Sequence, residues 1–318
     1  MNATEKKIDV IVIGELNVDI ILNDIESFPV IGKEIIANTM SVTLGSSSAI
    51  FASNLSSLGA TVSFIGKIGE DNFAQVVLDS LNRKNVNTGH IIKSHSLSTG
   101  ATLVLNYDQD RAMVTYPGAM NDLRLKDIDF DFLSTARHMH FSSYFMQPGI
   151  RGDVTSLFRH AKELGLTTSL DTQWDPEEKW DFPLEKLLPF VDVFLPNIEE
   201  FKFLTHGKTV EDGIRIIQKY AHYVVIKNGS EGAIGWDGNE LIHQPSFKNN
   251  NVVDCIGAGD SFNAGFIKDF INNKTFKKCL ETGALTGAIS TTTAGGTTAF
   301  ENLNTIRKIA SEKFNYKF

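Results

Sequence analysis

This sequence predicts a mostly parallel α/β fold, on three observations. Short runs rich in Ile and Val, such as Asp9–Ile13, suggest buried strands. Strand-like and helix-like stretches then alternate over most of the 318 residues, which implies a parallel sheet covered on both faces. Two irregular β-rich segments, about 15–45 and 99–118, stand outside that alternation and predict a separate small sheet at one end of the main domain.

The elements follow in order. Asp9–Ile13 predicts the first strand, closed by Gly14, and Val18–Leu22 a second. Ile31–Leu44 is irregular, as in an edge hairpin. Ser47–Leu58 is rich in Ala and Ser and sets Ile50, Leu55 and Leu58 at helical spacing, with Gly59 as a C-cap. Thr61–Gly66 predicts a strand and Asp71–Asn82 a helix. Thr99–Tyr107 and Ala112–Tyr116 flank the polar segment Asp108–Arg111, the pattern of a hairpin. Beyond it the spacing predicts strands over 138–142, 167–171, 191–195 and 222–226, and a hairpin near 233–243. Helices are predicted over 151–164, 198–204, 209–219, 258–271 and 276–293. With no internal repeat or low-complexity linker, residues 1–318 read as a single α/β domain carrying a small β appendage.

Composition narrows the function classes. Acidic residues outnumber basic ones, 38 to 30, for a net charge of -8, with no basic block and no basic–aromatic stripe. Nucleic acid is therefore not an expected partner. Two cysteines, Cys255 and Cys279, make neither a disulfide framework nor a metal-ligand spacing. No apolar run approaches the ~18 residues of a membrane span, and MNATEKK lacks the apolar stretch of a signal peptide. A cytoplasmic, soluble protein is expected.

The chemistry concentrates in NVVDCIGAGDSFNAGFIKDF, 251–270. Phe262, Phe266, Ile267, Phe270 and Ile271 recur at helical spacing, so a helix begins near Gly257. Two glycines ahead of a helix let backbone N–H groups converge at the positive end of its dipole, an anion site. Asp260 at that point suits a proton acceptor beside a phosphoryl group. A helix cap with a glycine turn fits the local pattern equally well. Two familiar nucleotide motifs do not apply: Phe262 stands where a dinucleotide fingerprint needs its third Gly, and Lys202 where a Walker A loop ending at Gly207–Thr209 needs its first.

DCIGAGDSFNAGF (254–266) resembles the C-terminal signature of the ribokinase family, the PfkB-type carbohydrate kinases, written D-T-x-G-A-G-D-x-F. The likeness extends over nearly the whole chain in order. GELNVD (14–19) resembles the first-strand sugar motif, and LGSSSAIFASNLSSLGA (44–60) the Gly-rich sugar loop and its helix. GKIGEDNFA (66–74) matches the family's G-x-x-G-x-D, and YPGAMNDL (116–123) the segment after the lid. PNIEEFKFLT (196–205) carries the Asn-x-x-Glu motif, and IKNGSEGAIGW (226–236) resembles the strand and loop under the nucleotide.

The resemblance implies a ribokinase-like fold, with a lid built from the segments 15–45 and 99–118 that closes over the sugar and excludes water. It implies an ATP-dependent sugar kinase with Asp260 as general base and the backbone of Gly257, Ala258 and Gly259 as the anion hole. Asn17 and Asp19 would bind sugar hydroxyls, with Gly45 and Ser46 lining the sugar loop. Asn197 and Glu200 would organise water around Mg²⁺, and helix capping explains the same pair. Lys227 and Gly229 resemble the nucleotide loop, and a surface turn would look similar. Asp254 and Ile256 match positions near which relatives hold a monovalent cation such as K⁺, and relatives often form homodimers through the lid. His138, His140 and His243 are read as structural. Asp171, Asp175 and Asp181, around Trp174 and Trp180, are read as a solvated, turn-rich surface.

The sequence departs from the family at Ser46, where a second Gly is usual, and at Ile50, where an Asn is usual. The Thr-rich stretch 290–298 and Ala284 differ from the usual adenine surroundings. A nucleoside or other small-alcohol kinase on the same scaffold, and a silent sugar-binding sensor, are the competing expectations.

Overall fold

Ile8–Ile13 (β1) runs through the interior of the main sheet because both its faces are apolar. Val10 and Val12 enter one core layer, Ile11 and Ile13 the other, and all four are fully buried. The computed structural model describes residues 7–107 and 110–318. Its strands are β1, β2 (Asn17–Ile25), β3 (Ala37–Leu44), β4 (Val62–Ile68), β5 (Asn87–Lys93), β6 (Gly100–Tyr107) and β7 (Asp110–Tyr116). They continue as β8 (Ala136–Ser142), β9 (Thr167–Asp171), β10 (Val193–Phe194), β11 (Tyr223–Lys227), β12 (Ala233–Trp236) and β13 (Leu241–Gln244).

The main sheet has the order β13-β12-β11-β10-β9-β8-β1-β4-β5. It is parallel from β11 to β5, and antiparallel only where β12 and β13 fold back as a hairpin. One layer holds the helices Ser47–Ser57, Asn72–Arg83, Ala258–Phe270, Phe276–Ser290 and Leu303–Phe314, which bury Phe51, Val77, Phe266, Leu285 and Ile306. The other holds Val154–Glu163, Ile198–Thr205 and Val210–Ile217, burying Phe158, Phe201 and Ile214.

A second sheet, β3-β2-β6-β7, is formed by the two segments outside the alternation. Its register sets Asp19 opposite Thr43 on one side and Thr102 on the other, and Thr102 opposite Thr115. Alternation therefore puts Asn17, Asp19, Thr102, Val104, Met113 and Thr115 on one face.

Several expected boundaries move. The helix predicted over 151–164 divides into Pro148–Arg151 and Val154–Glu163, and the one over 276–293 ends at Ser290. The strand over 191–195 shortens to Val193–Phe194. β5 and the helix Leu303–Phe314 were not expected; β5 is an edge strand whose NTGHIIK carries little alternation. Asp108 and Gln109, in the predicted hairpin turn, lie outside the described residues, whereas Arg111 belongs to β7 rather than the turn. Among the described residues no helix is long and apolar enough to cross a membrane.

Candidate active site

The chain leaves β1 toward β4 and β5 on one side, then returns through β8 to β11 on the other. Such a reversal opens a crevice at the carboxyl ends of the strands, the usual ligand site of open α/β sheets. Here it is a cavity of about 1130 Å³ roofed by the second sheet. Glu15 follows β1, Ser143 follows β8, Gln173 follows β9, Asn197 follows β10, Lys227 ends β11, and all line it.

At one end lie Asn17, Asp19 and Ser46. Asn17 Nδ2 donates to Thr102 Oγ1 at 2.7 Å, while its buried Oδ1 has no partner among the described residues and is free to accept from a ligand hydroxyl. Burial pushes Asp19 up to about 6; Arg111 opposes this, and Asp254 and Glu15 add to it. Gly45 does not line the cavity but packs behind these groups: a Cβ there would sit 2.3 Å from Asp19 Oδ1. Ser46 occupies φ 71°, the left-handed half of backbone space that glycine tolerates best. It repays that strain as N-cap of Ser47–Ser57, accepting from Ala49 N at 3.0 Å and donating to Glu15 O at 2.6 Å. Ile50 does not offer a ligand surface alone, since its side chain also wedges beneath Gly257 and Gly296.

The centre is the turn before Ala258–Phe270. Gly257 is its N-cap at φ 70°, and a Cβ there would meet Gly296 Cα at 2.7 Å, so glycine is required. Asp260 lies in the first helical turn, lines the cavity and is only 7% exposed. No hydrogen bond to its own helix N-terminus is formed by a capping side chain, so the cap explanation of this motif does not describe the geometry. Burial above all, then the Asp171 carboxylate, push Asp260 well above the usual carboxylate range, with Lys227 opposing.

Behind Asp260 stands a network the sequence did not disclose. Asp171 is fully buried and accepts from Lys227 Nζ at 2.6 Å, Asn263 Nδ2 at 2.5 Å and Gln173 Nε2 at 3.1 Å. Gln173 Nε2 also reaches Asp260 Oδ1 at 3.3 Å. Burial disfavours the Lys227 ammonium, but Asp171 and Glu200 more than compensate and hold its pKa above the ordinary value. Its Nζ lies 3.7 Å from where a Cβ on Gly259 would sit, beside the turn before Ala258–Phe270.

This corrects two expectations. Asp171 and Asp175 are not surface groups: Asp171 is inaccessible, and Asp175 (3% exposed) accepts from Lys179 N and Trp180 N, folding its loop. Asp181 is exposed. Lys227 does not sit in a loop after a strand but ends β11, buried, with Gly229 lining the cavity beyond it. The polar composition of 171–181 reads as solvated because loop and buried acids share residue types. The distinguishing signal is its position at the carboxyl end of a central strand.

Asn197 and Glu200 form a reciprocal capping box, Asn197 N donating to Glu200 Oε2 and Glu200 N to Asn197 Oδ1, both at 2.9 Å. They also line the cavity, and burial with the nearby Asp171 raises Glu200 to about 7, Lys227 opposing. Among the described residues no group of three or more His, Cys, Asp or Glu side chains could cage a metal. One buried carboxyl short of positive charge fits an Mg²⁺ ion that keeps most of its water. Asp254 ties two loops together, accepting from Ile256 N at 2.9 Å and Gly295 N at 2.8 Å. His138 and His140 form a neutral ladder through Thr167, Ser169 and Ser142, with burial lowering His138 to about 3.

The chain is similar to known proteins over most of its length. An uncharacterised sugar kinase of Archaeoglobus fulgidus is 29% identical over 235 residues, covering 74% of this chain and 92% of the relative. The 2-dehydro-3-deoxygluconokinase of Bacillus subtilis is 27% identical over 289 residues, 86% of this chain and 87% of its own. A putative ribokinase II from E. coli, solved in complex with ATP and Mg²⁺, superposes with a TM-score of 0.83 at 23% identity over 95% of this chain and 98% of that one. The fold is thus ribokinase-like. Residues 7–303 match the profile of the pfkB family carbohydrate kinases, and the chain belongs to that family.

Proposed function

We propose that this sugar kinase transfers the γ-phosphoryl group of ATP to a hydroxyl of a sugar bound against Asn17 and Asp19. The observation that carries the reading is Asp260, beside the Gly257–Gly259 turn, in one cavity with Asn17 and Asp19 at one end and Lys227 and Gly229 at the other. The acceptor oxygen forms a bond to the γ-phosphorus as the bridging β–γ oxygen bond breaks, and ADP leaves. Asp260 takes the hydroxyl proton. Its raised pKa makes it a stronger base than an exposed Asp. The backbone N–H groups of Gly257 and Gly259 and the Lys227 ammonium, whose Nζ lies 3.7 Å from where a Cβ on Gly259 would sit, would face the charge that shifts during transfer, whereas Ala258 N donates to Cys255 O within the turn. Asp171, with Gln173, sets the position of Lys227 relative to Asp260. Mg²⁺ with the nucleotide, held through water by Asn197 and Glu200, would supply neutralising charge at the phosphates.

The second sheet is proposed as a lid over the sugar. Its outer face exposes Met40, Val42, Val114 and Tyr116, on the side opposite Asp19, which supports a homodimer formed through the lids. A monomer by light scattering at assay concentration removes that part. The Asp254 tie supports a K⁺ site at the 254–256 and 295 loops, tested by turnover in potassium against tetramethylammonium. A cytoplasmic setting suits free Cys255 and Cys279 and a supply of ATP. The deciding experiment is ADP release across sugars, sugar acids and nucleosides. Turnover confined to nucleosides would select the other kinase reading. Silence, with thermal stabilisation by a sugar, would select a sensor.

A further inference from the structure

Arg111 lines the sugar end of the cavity from β7, and none of the described residues claims its charge. It sits opposite Asn106 in the β6–β7 pairing, on the face that also presents Met113 and Thr115 to the cavity. Its guanidinium is close enough to oppose the upward push on Asp19, yet the two form no ion pair. Among the described residues it makes no hydrogen bond either. The other lining cations are placed elsewhere: Lys227 is bound to Asp171, and Lys248 follows β13 at the nucleotide end.

The wall around Arg111 mixes polar groups, Asn17, Thr102 and Thr115, with apolar ones. Val104, Met113, Met120 and Met146 line the cavity, and Ile50 stands where an amide would otherwise serve a hydroxyl. A guanidinium left unpaired in a cavity matches a carboxylate or phosphate, which it can grip with two parallel hydrogen bonds. Asp19 lies on the same sheet face as Arg111 and near enough to feel its charge, so an acceptor gripped by Arg111 would bring its hydroxyls within reach of Asp19 and Asn17. A charge held on a lid strand also makes closure depend on the acceptor carrying the opposite charge.

We propose that the acceptor is an anionic sugar derivative, its carboxylate or phosphate engaged by Arg111 from the lid, remote from the hydroxyl that is phosphorylated. This rests on the sugar-kinase reading above. The test compares kcat/KM by ADP release for matched compounds: neutral hexoses, 2-keto-3-deoxy and aldonic acids, and hexose 6-phosphates. Wild type and the full-length variants Arg111→Met and Arg111→Lys are used. The wild type should prefer one anionic class over its neutral counterpart. Arg111→Met should lower the anionic-to-neutral ratio of kcat/KM at least about 10-fold, mostly through KM. Arg111→Lys should recover part of it, because it restores charge but not the fork. Preference for carboxylates or for phosphates identifies the source of the anion. Equal losses for neutral and anionic acceptors, or a wild type that favours neutral sugars, overturn the proposal.

Thermal stabilisation by the same compounds is read alongside, so that binding is scored without turnover. If no acceptor releases ADP but acids stabilise the wild type and not Arg111→Met, the kinase reading fails and the anion site stands. If no anionic compound stabilises the protein or is turned over, the anion site fails.

Discussion

Replacing Lys227 by Met should do two separable things. The ammonium is 2.6 Å from Asp171, with side chains 11% and 0% exposed. Its removal strands a carboxylate that keeps only Asn263 and Gln173 as side-chain donors, next to Glu200 and Asp260. Breaking a buried pair from one side costs about 3–5 kcal/mol, or a melting temperature lower by roughly 4–8 °C for a chain of this size. Adding Asp171→Asn removes the stranded charge, so the double variant should be more stable than the sum of the singles by at least about 1 kcal/mol. The second effect is on the reaction. As the proposed base, Asp260 would act only when deprotonated, so kcat/KM should fall as pH drops through its pKa. Lys227 is the cation that restrains that pKa, and without it the acidic limb should move to higher pH. Thermal melts with the four-variant cycle and pH–rate profiles read the two effects independently. Additive losses from the two single substitutions would refute the pairing. An unmoved acidic limb would refute the influence of Lys227 on the base.

Asp260→Asn should lower kcat by about 10²–10⁴ while ATP still binds, measured by stopped turnover and nucleotide titration. Ser46→Ala loses the cap to Ala49 and keeps the positive φ, so it should cost about 1–2 kcal/mol in denaturant melts. Ser46→Gly relieves the backbone as it loses the cap and should cost less. Glu200 is raised to about 7 from an ordinary 4.5, so the folded protein holds that proton more tightly than the unfolded chain. Its contribution is complete below about 4.5 and is lost as pH rises through about 7. Ligand-free wild type should therefore lose stability relative to Glu200→Gln between pH 5 and about 8, and parallel melting curves across that range would exclude it.

What the sequence discloses of the site depends on where its constraints lie along the chain. The GAGD turn is legible because one short segment holds all its requirements: glycine at φ 70°, backbone N–H groups, and an acid in the first helical turn. Asn17 and Asp19 are legible for the same reason, being alternate residues of one strand. Asp171 is not, because its partners Lys227 and Asn263 stand 56 and 92 residues away and only the sheet order brings them together. Arg111 is hidden by a boundary: read as part of a turn it is a solvated charge, and paired opposite Asn106 in β7 it lines the cavity. The fold itself rests on apolar runs with their own periodicity, so it is legible except at edges such as β5, where one face has little to bury.

The charge count in the cavity carries a consequence for how the reaction is controlled. Glu15, Asp171, Glu200 and Asp260 are all buried near its floor, against Lys227 alone among buried cations of the described residues there. Glu15, Glu200 and Asp260 all have raised pKa values, with burial the first cause in each. Burial thus favours the protonated form of Asp260, which as the proposed base could accept no further proton. A triphosphate alone adds negative charge and deepens that state, whereas a nucleotide arriving with its divalent cation adds positive charge beside Glu200 and favours ionisation. Binding of the nucleotide–metal complex should then release protons to solvent near pH 7, and the nucleotide alone should not. Calorimetry in two buffers of different ionisation enthalpy measures that difference, and equal proton counts with and without the metal would show that Asp260 and Glu200 are already ionised before the substrate arrives.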